Sequence, residues 1–206
     1  YYIYGLGVLV LIIAGFFFLQ PTATGAVVSE SRVNAAGFLE LGDQNAPNLI
    51  EEFGDYECPF CMRFHTTTFG QIKKDYIDTG KARYIFKDFP LTHSHINAQK
   101  AAEAAHCAAD QGKYEEYHDK LYGNSYSGDS WANKPAISIF KKYAADLGLD
   151  TSRFNKCLDN GEKASVVKAN LEEGQRRGIS GTPGFFVNGR YISGAQPYNV
   201  FAQLML

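Results

Sequence analysis

The chain has 206 residues with 20 Lys and Arg against 22 Asp and Glu, a formal net charge of −2. So even a balance leaves no basic footprint for a nucleic acid. No repeat or low-complexity tract interrupts the chain, and the ~170 residues that follow its apolar start suit one domain with one core.

Tyr1 to Leu19 is an uncharged run rich in Leu, Ile, Val and Phe, and the first charge is Glu30. About 19 residues at ~1.5 Å each span roughly 28 Å, close to the ~30 Å hydrocarbon core of a bilayer. The run is therefore read as a transmembrane anchor over residues 1–20, with Tyr1, Tyr2 and Tyr4 at the headgroup level. A cleaved signal peptide is the alternative. Ala23-Thr24-Gly25 has the small residues of a cleavage site, but the run exceeds the ~7–15 residues of a signal core. A buried core helix is a third reading. The first two both send the rest of the chain out of the cytoplasm. No Met opens the chain and no Lys or Arg precedes Tyr1, so charge does not orient the span and the N-terminus reads as incomplete.

Residues 21–36, rich in Thr, Ala, Ser and Gly, read as a tether, and 37–206 as the folded domain. Leu49 to Phe53 is a short strand. Cys58 to about Asp78 is a helix with Phe60, Phe64, Ile72 and Tyr76 on one side, ended by Thr79-Gly80. Ala82 to Lys87 is a second strand. A largely helical stretch follows over about 94–178, with Ile137, Phe140, Ala144 and Leu147 at helical spacing. Strands Phe185 to Val187 and Tyr191-Ile192 flank Asn188-Gly189, a strong hairpin signal. A final amphipathic helix starts near Pro197, carrying Val200 and Leu204. The architecture is α/β: a β-α-β half and a β-β-α half around a helical insertion.

Two motifs carry the chemistry. The first is Cys58-Pro59-Phe60-Cys61, two thiols at the start of a helix. Alone it could be half of a zinc site. The second, more than a hundred residues later, is Gly181-Thr182-Pro183 before a short strand. Together they point to dithiol-disulfide exchange. A thiol exchanges only as thiolate. A helix N-terminus offers unpaired N–H groups and partial positive charge that favour a thiolate at Cys58. Pro59 suits the first turn, where its missing N–H has no partner to lose. Cys61, one turn further in, is the buried resolving thiol. The bland readings are a metal pair or a static disulfide. A zinc site needs two more ligands, and only His93 and His95 stay open for that; no metal is expected.

Residues Glu52 to Cys61 and Gly178 to Gly189 resemble the DsbA-like branch of the thioredoxin superfamily, whose hallmark is a helical insertion between the thioredoxin halves. The resemblance covers nearly everything from Gly37 onward. It implies a thioredoxin fold with a helical insertion, a cis bond at Thr182-Pro183 beside the dithiol, and a backbone at Thr182 that pairs with substrate. Pro59, Phe60, Thr182 and Pro183 would meet the substrate. An ordinary trans proline opening a strand is the bland reading of Pro183. The resemblance also makes Glu52, six residues before Cys58, the buried acid that relays the proton of Cys61. A plain surface strand residue is the alternative, with Glu51 facing oppositely. Asp55, Tyr56 and Glu57 shape the loop. Phe60 departs from the His of the strongly oxidising members and predicts a less acidic Cys58.

Cys107 and Cys157 lie in the insertion. With Cys58–Cys61 as the local pair, they are expected to form a structural disulfide closing a loop of about 50 residues, worth roughly 4 kcal/mol. Two buried free thiols or a second redox pair are the alternatives. His106 reads as a helix-surface residue, and His65, His93, His95 and His118 receive no catalytic role.

The expected function is a monomeric, membrane-tethered extracytoplasmic oxidase of exported proteins with reduced cysteines. It needs no cofactor, because the cysteines carry both electrons. By resemblance it is recycled by a quinone-linked membrane partner of the DsbB or VKOR type. An isomerase or reductase is the alternative. The isomerases carry an N-terminal dimerisation domain, for which residues 20–36 are too short. A metal-binding chaperone using Cys58 and Cys61 is the reading from another class.

Overall fold

The computed structural model describes residues 31–34, 37–127 and 130–205. The expected span at residues 1–20 lies outside them. Among the described residues no helix is long and apolar enough to cross a membrane.

Six strands form one sheet in the order β1-β2-β4-β3-β5-β6. These are β1 (Arg32–Val33), β2 (Leu39–Leu41), β3 (Asn48–Gly54), β4 (Ala82–Asp88), β5 (Gly184–Val187) and β6 (Arg190–Ser193). β3 and β4 run parallel, and β5 lies antiparallel against β3 with Phe53 opposite Gly184. β3 is thus flanked on both sides, which explains its nearly continuous burial. The β5–β6 hairpin turns at Asn188 and Gly189, both at positive φ, as its Asn-Gly signal requires.

β1 and β2 extend the sheet into and just past the segment read as tether. Arg32 and Arg83 both pair with the carboxylate of Glu40, whose side chain is fully buried in β2. A polar pair of cations around one buried acid gives no alternating apolar signal, which is why this edge is silent in the sequence.

The parallel pair is joined by a continuous helical segment: α1 (Pro59–Phe64), a π-helical turn (His65–Phe69), α2 (Gly70–Ile72) and a second π-helical turn (Lys73–Ile77). In the first of these turns the hydroxyls of Thr66 and Thr67 donate to the carbonyls of Met62 and Arg63 at 2.9 and 2.7 Å. These bonds compete with the regular backbone ladder. The segment lays Phe64 and Phe69 onto Tyr84, Phe185 and Phe201. Each such buried ring contributes roughly 1.5–3 kcal/mol.

The insertion comprises α3 (Ala98–Ala109), α4 (Tyr114–Asn124), α5 (Ile137–Asp146), α6 (Thr151–Asp159) and α7 (Ala164–Arg176); α8 (Tyr198–Ala202) closes the fold. α8 stops short of Leu204. Cys107 of α3 and Cys157 of α6 are joined by a disulfide. α3 buries nearly all its faces behind small alanines. His106 is therefore buried, not on the surface, and its Nε2 lies 2.6 Å from Asp88 of β4. Asn170 of α7 donates to the same carboxylate at 2.8 Å. Gly54, at the end of β3, has no room for a side chain: a Cβ would stand 2.4 Å from the Phe86 ring.

Candidate active site

β3 delivers the chain to the site. Beyond Gly54, Asp55 to Glu57 form a tight loop in which the Cys58 N–H donates to the Asp55 carbonyl at 3.0 Å. Two buried carboxylates fix this loop. Asp55 accepts from the N–H groups of Glu57 and Leu91, both at 2.8 Å, and its Oδ2 lies 2.7 Å from His95 Nδ1. Glu57 accepts from the N–H groups of Asn97 at 2.6 Å and Asn133 at 2.7 Å. Tyr126 donates its hydroxyl to the Glu57 carbonyl at 2.6 Å.

Cys58 stands in extended backbone immediately before α1, with Pro59 opening the helix. Cys58 and Cys61 are both free thiols. Cys58 is 3% exposed and Cys61 is fully buried. The Cys58 Sγ lies 3.4 Å from the Thr182 carbonyl. The Asp55 N–H points at the Cys61 Sγ at 3.5 Å. The Thr182-Pro183 bond is cis. Because β5 pairs with β3 directly after it, this loop sits against the dithiol.

The two thiols differ in acidity for identifiable reasons. A hydrogen bond from Cys61 lowers Cys58 to about 6 against the opposing effect of burial, helped by Thr182 and by the N–H groups of Cys61 and Phe60. Burial pushes Cys61 up, and the neighbouring Cys58 and Glu52 charges add to it. Glu52 is fully buried in β3, and burial pushes its carboxyl up to about 8 despite a 2.8 Å bond from the Tyr84 hydroxyl. Glu51 faces the other way, held by Lys87 and Arg177.

Phe60 is not part of the buried row with Phe64 and Ile72. It is 53% exposed, with the Arg63 guanidinium 5.2 Å from its ring centre. The first helical turn projects beyond the sheet, so the row that is core at Phe64 meets solvent one turn earlier. Phe60 and Tyr126, large exposed hydrophobics, adjoin this loop, and exposed Ile96 directly precedes Asn97, whose N–H donates to Glu57.

His95 reaches the site from the loop after β4, which no local spacing foretells. His65 sits one turn beyond Cys61, a spacing that could have flagged it. Among the described residues no group of three or more His, Cys, Asp or Glu side chains is arranged to hold a metal ion.

The sequence profile of a family described as Thioredoxin matches residues 35–205. The chain belongs to the thioredoxin family. It is similar to proteins named for disulfide bond formation and to solved DsbA structures. It is 28% identical over 151 residues to a probable disulfide bond formation protein D of Bacillus anthracis, covering 72% of this chain and 69% of that protein. It is 35% identical over 161 residues to the Na(+)/H(+) antiporter NhaA 3 of Salinispora tropica, covering 78% of this chain. The chain spans only 23% of that antiporter's length. Oxidised BdbD of Bacillus subtilis superposes with a TM-score of 0.72 at 25% identity, over 87% of this chain and 97% of that one.

Proposed function

We propose that this DsbA-like domain is an extracytoplasmic oxidase, tethered to a membrane by residues 1–20, that introduces disulfides into exported proteins. The observation that carries the reading is the asymmetric placement of the dithiol: Cys58 stands at the helix start with its Sγ 3.4 Å from the Thr182 carbonyl and its pKa lowered, and Cys61 is fully buried behind it with its pKa raised. A substrate thiolate attacks the Cys58 sulfur of the Cys58–Cys61 disulfide. Cys61 leaves as a thiolate and takes a proton, relayed by Glu52. The second substrate thiolate then attacks the substrate sulfur of the mixed disulfide, and Cys58 leaves as a stabilised thiolate. Two electrons pass to the enzyme and on to a membrane partner, a quinone-linked protein of the DsbB or VKOR type.

Phe60, Ile96 and Tyr126 offer an apolar rim that suits unfolded polypeptide, with the Thr182-Pro183 backbone beside the attacked sulfur. The Cys107–Cys157 disulfide supports an oxidising compartment. The direction is tested by equilibrium with glutathione and by turnover. The potential should fall between thioredoxin's ~−270 mV and DsbA's ~−120 mV. Reduced, unfolded substrate should be oxidised faster than scrambled substrate is reshuffled. A potential at or below thioredoxin's, or faster rescue of scrambled substrate, would move the domain to reductase or isomerase.

A further inference from the structure

Beneath the dithiol lies a set of buried polar atoms that the fold does not use. Oε1 of Glu52, Nε2 of His65, Nε2 of His118 and the Tyr122 hydroxyl have no hydrogen-bond partner. Unsatisfied buried polar atoms are few in folded proteins, and each calls for a reason. Here they adjoin one another. His65 Nε2 lies 3.4 Å from Oε2 of Glu52, short of a formed hydrogen bond. The His65 ring stacks on Tyr122 with centres 4.1 Å apart and stands 4.7 Å from the His118 ring. His65 and Tyr122 also line a surface cleft of about 290 Å³, together with Lys73, Glu115 and Asp119. The His65 side chain is 5% exposed, so a single ring separates Glu52 from the cleft.

We infer that His65 carries protons between Glu52 and this cleft, which makes the cleft the proton port of the buried thiol. The inference rests on the reading of Glu52 as the relay for Cys61. That reading leaves a gap: a carboxyl fully removed from water must itself exchange its proton with solvent in every cycle. Tyr84, its hydrogen-bond donor, is buried, and burial pushes its pKa well above the ordinary value, so it holds its proton. His65 is the neighbour that also touches the cleft.

The proton count closes without a standing charge on the ring. Burial holds His65 neutral, at about 3. Take the tautomer with its proton on Nε2 and a protonated Glu52 whose proton is on the unpartnered Oε1. When substrate reduces the disulfide, Cys61 leaves as a thiolate and takes the Oε1 proton. Nε2–H then gives its proton to Oε2, and Nδ1 takes one from water in the cleft. On reoxidation Cys61 returns its proton to Oε1, Oε2–H returns its own to Nε2, and Nδ1–H releases to the cleft. The two half-reactions run the relay in opposite directions, so each full cycle restores the starting tautomer with no ring flip. The titratable groups facing the ring are Glu52, His118 and Tyr122 inside, and Lys73, Glu115 and Asp119 at the cleft. Asp119 is pushed up to about 6 by burial, which lets it exchange protons near neutral pH.

The test is single-turnover oxidation of a dithiol peptide from pH 6 to 8, with the reduction potential measured alongside. His65→Phe keeps a ring on Tyr122 and removes both nitrogens. Gly70→Phe fills the cleft mouth from a helical glycine with nothing within 4 Å of a Cβ, and leaves His65 and Glu52 untouched. Both should slow turnover by about tenfold or more, at the low end of general acid–base effects, with the potential unchanged. His65→Ala should recover rate saturably with added imidazole, whereas Glu52→Gln should not. If Glu52→Gln is slow but His65→Phe and Gly70→Phe run at the unmodified rate, the port is overturned and the Glu52 relay stands. If Glu52→Gln also runs at that rate, the relay falls and the port with it. Equal acceleration of His65→Ala and Glu52→Gln by imidazole would mean buffer catalysis and overturn the port. Should His65→Phe fail to fold, Gly70→Phe alone decides.

Discussion

Nδ1 of His95 lies 2.7 Å from Oδ2 of Asp55, whose side chain is fully buried. The bond to Asp55 raises the imidazole's pKa against a smaller effect of burial, and the charges of Asp55, Cys58 and Glu57 add to it. An imidazole with a raised pKa thus stands near the dithiol although Phe60 occupies the place inside the motif. His95→Gln should raise the Cys58 titration midpoint and lower the reduction potential, by an amount on the order of 30 mV if the thiolate loses tenfold in equilibrium constant. The sign for stability follows from the raised pKa. The His95 contribution is full below its unfolded value of ~6.5 and fades as pH climbs through the higher folded value. Urea midpoints from pH 5.5 to 8.5 should show a falling component that His95→Gln lacks; identical slopes would remove His95 from the account.

The trapping experiment tests which thiol attacks. Cys61→Ser should accumulate mixed disulfides with substrate through Cys58, and Cys58→Ser should accumulate few. Thiolate absorbance should titrate near pH 6 for Cys58 in the reduced protein. Trapping only through Cys61 would invert the assignment.

Glu52 predicts a pH-dependent stability that thiol chemistry does not confound when measured on the disulfide form. Its folded pKa of about 8 lies above the ordinary 4.5. The protein should therefore be most stable below pH ~4.5 with respect to this group, losing on the order of 5 kcal/mol as pH rises through 8. Glu52→Gln should flatten that descent. A variant with the same pH profile would show that Glu52 ionises as freely in the fold as outside it.

Phe60→His should raise the reduction potential, because an imidazole at this exposed position stabilises the Cys58 thiolate and so the reduced form. Equilibration with glutathione measures it. An unchanged or lower potential would mean that the residue between the cysteines does not set the poise here.

Replacing Cys107 and Cys157 together with Ala should cost about 2–5 kcal/mol of stability. Single-turnover oxidation of a dithiol peptide should be largely intact, since neither sulfur touches the Cys58 loop. A calorimetric scan and the turnover assay decide it; a collapse of turnover in the folded double variant would give the pair a redox role.

The elements with strong periodicity or turn chemistry were legible in the chain. β3, β4, the hairpin at Asn188-Gly189 and the helix starting at Cys58 carry alternating or helical patterns together with Gly, Pro or Asn stops. β1 and β2 were not legible, because Glu40 and its two arginines break the apolar signal with an ion pair that exists only once the strands meet. The site divides the same way. Cys58, Cys61 and Pro183 stand in local motifs. The surroundings of Glu52 do not, since its partners Tyr84 and His65 come from β4 and a π-helical turn. Phe60 shared a helical row with Phe64, but the row continues past the edge of the core. His106 reads as superficial from its residue type alone, yet the small alanines around it are what let this helix be buried on nearly all its faces.

Glu57 bonds to Asn97 and Asn133, and Tyr126 reaches back to its carbonyl, so the loop before Cys58 is anchored in two separate parts of the insertion. A domain graft that moved only the segment from Glu57 to Cys61 onto a plain thioredoxin scaffold would leave that carboxylate without its donors. The portable unit of this chemistry is the loop together with the insertion that grips it. Swapping insertions between relatives, with the tetrapeptide held constant, is thus a way to retune the redox poise from outside the motif.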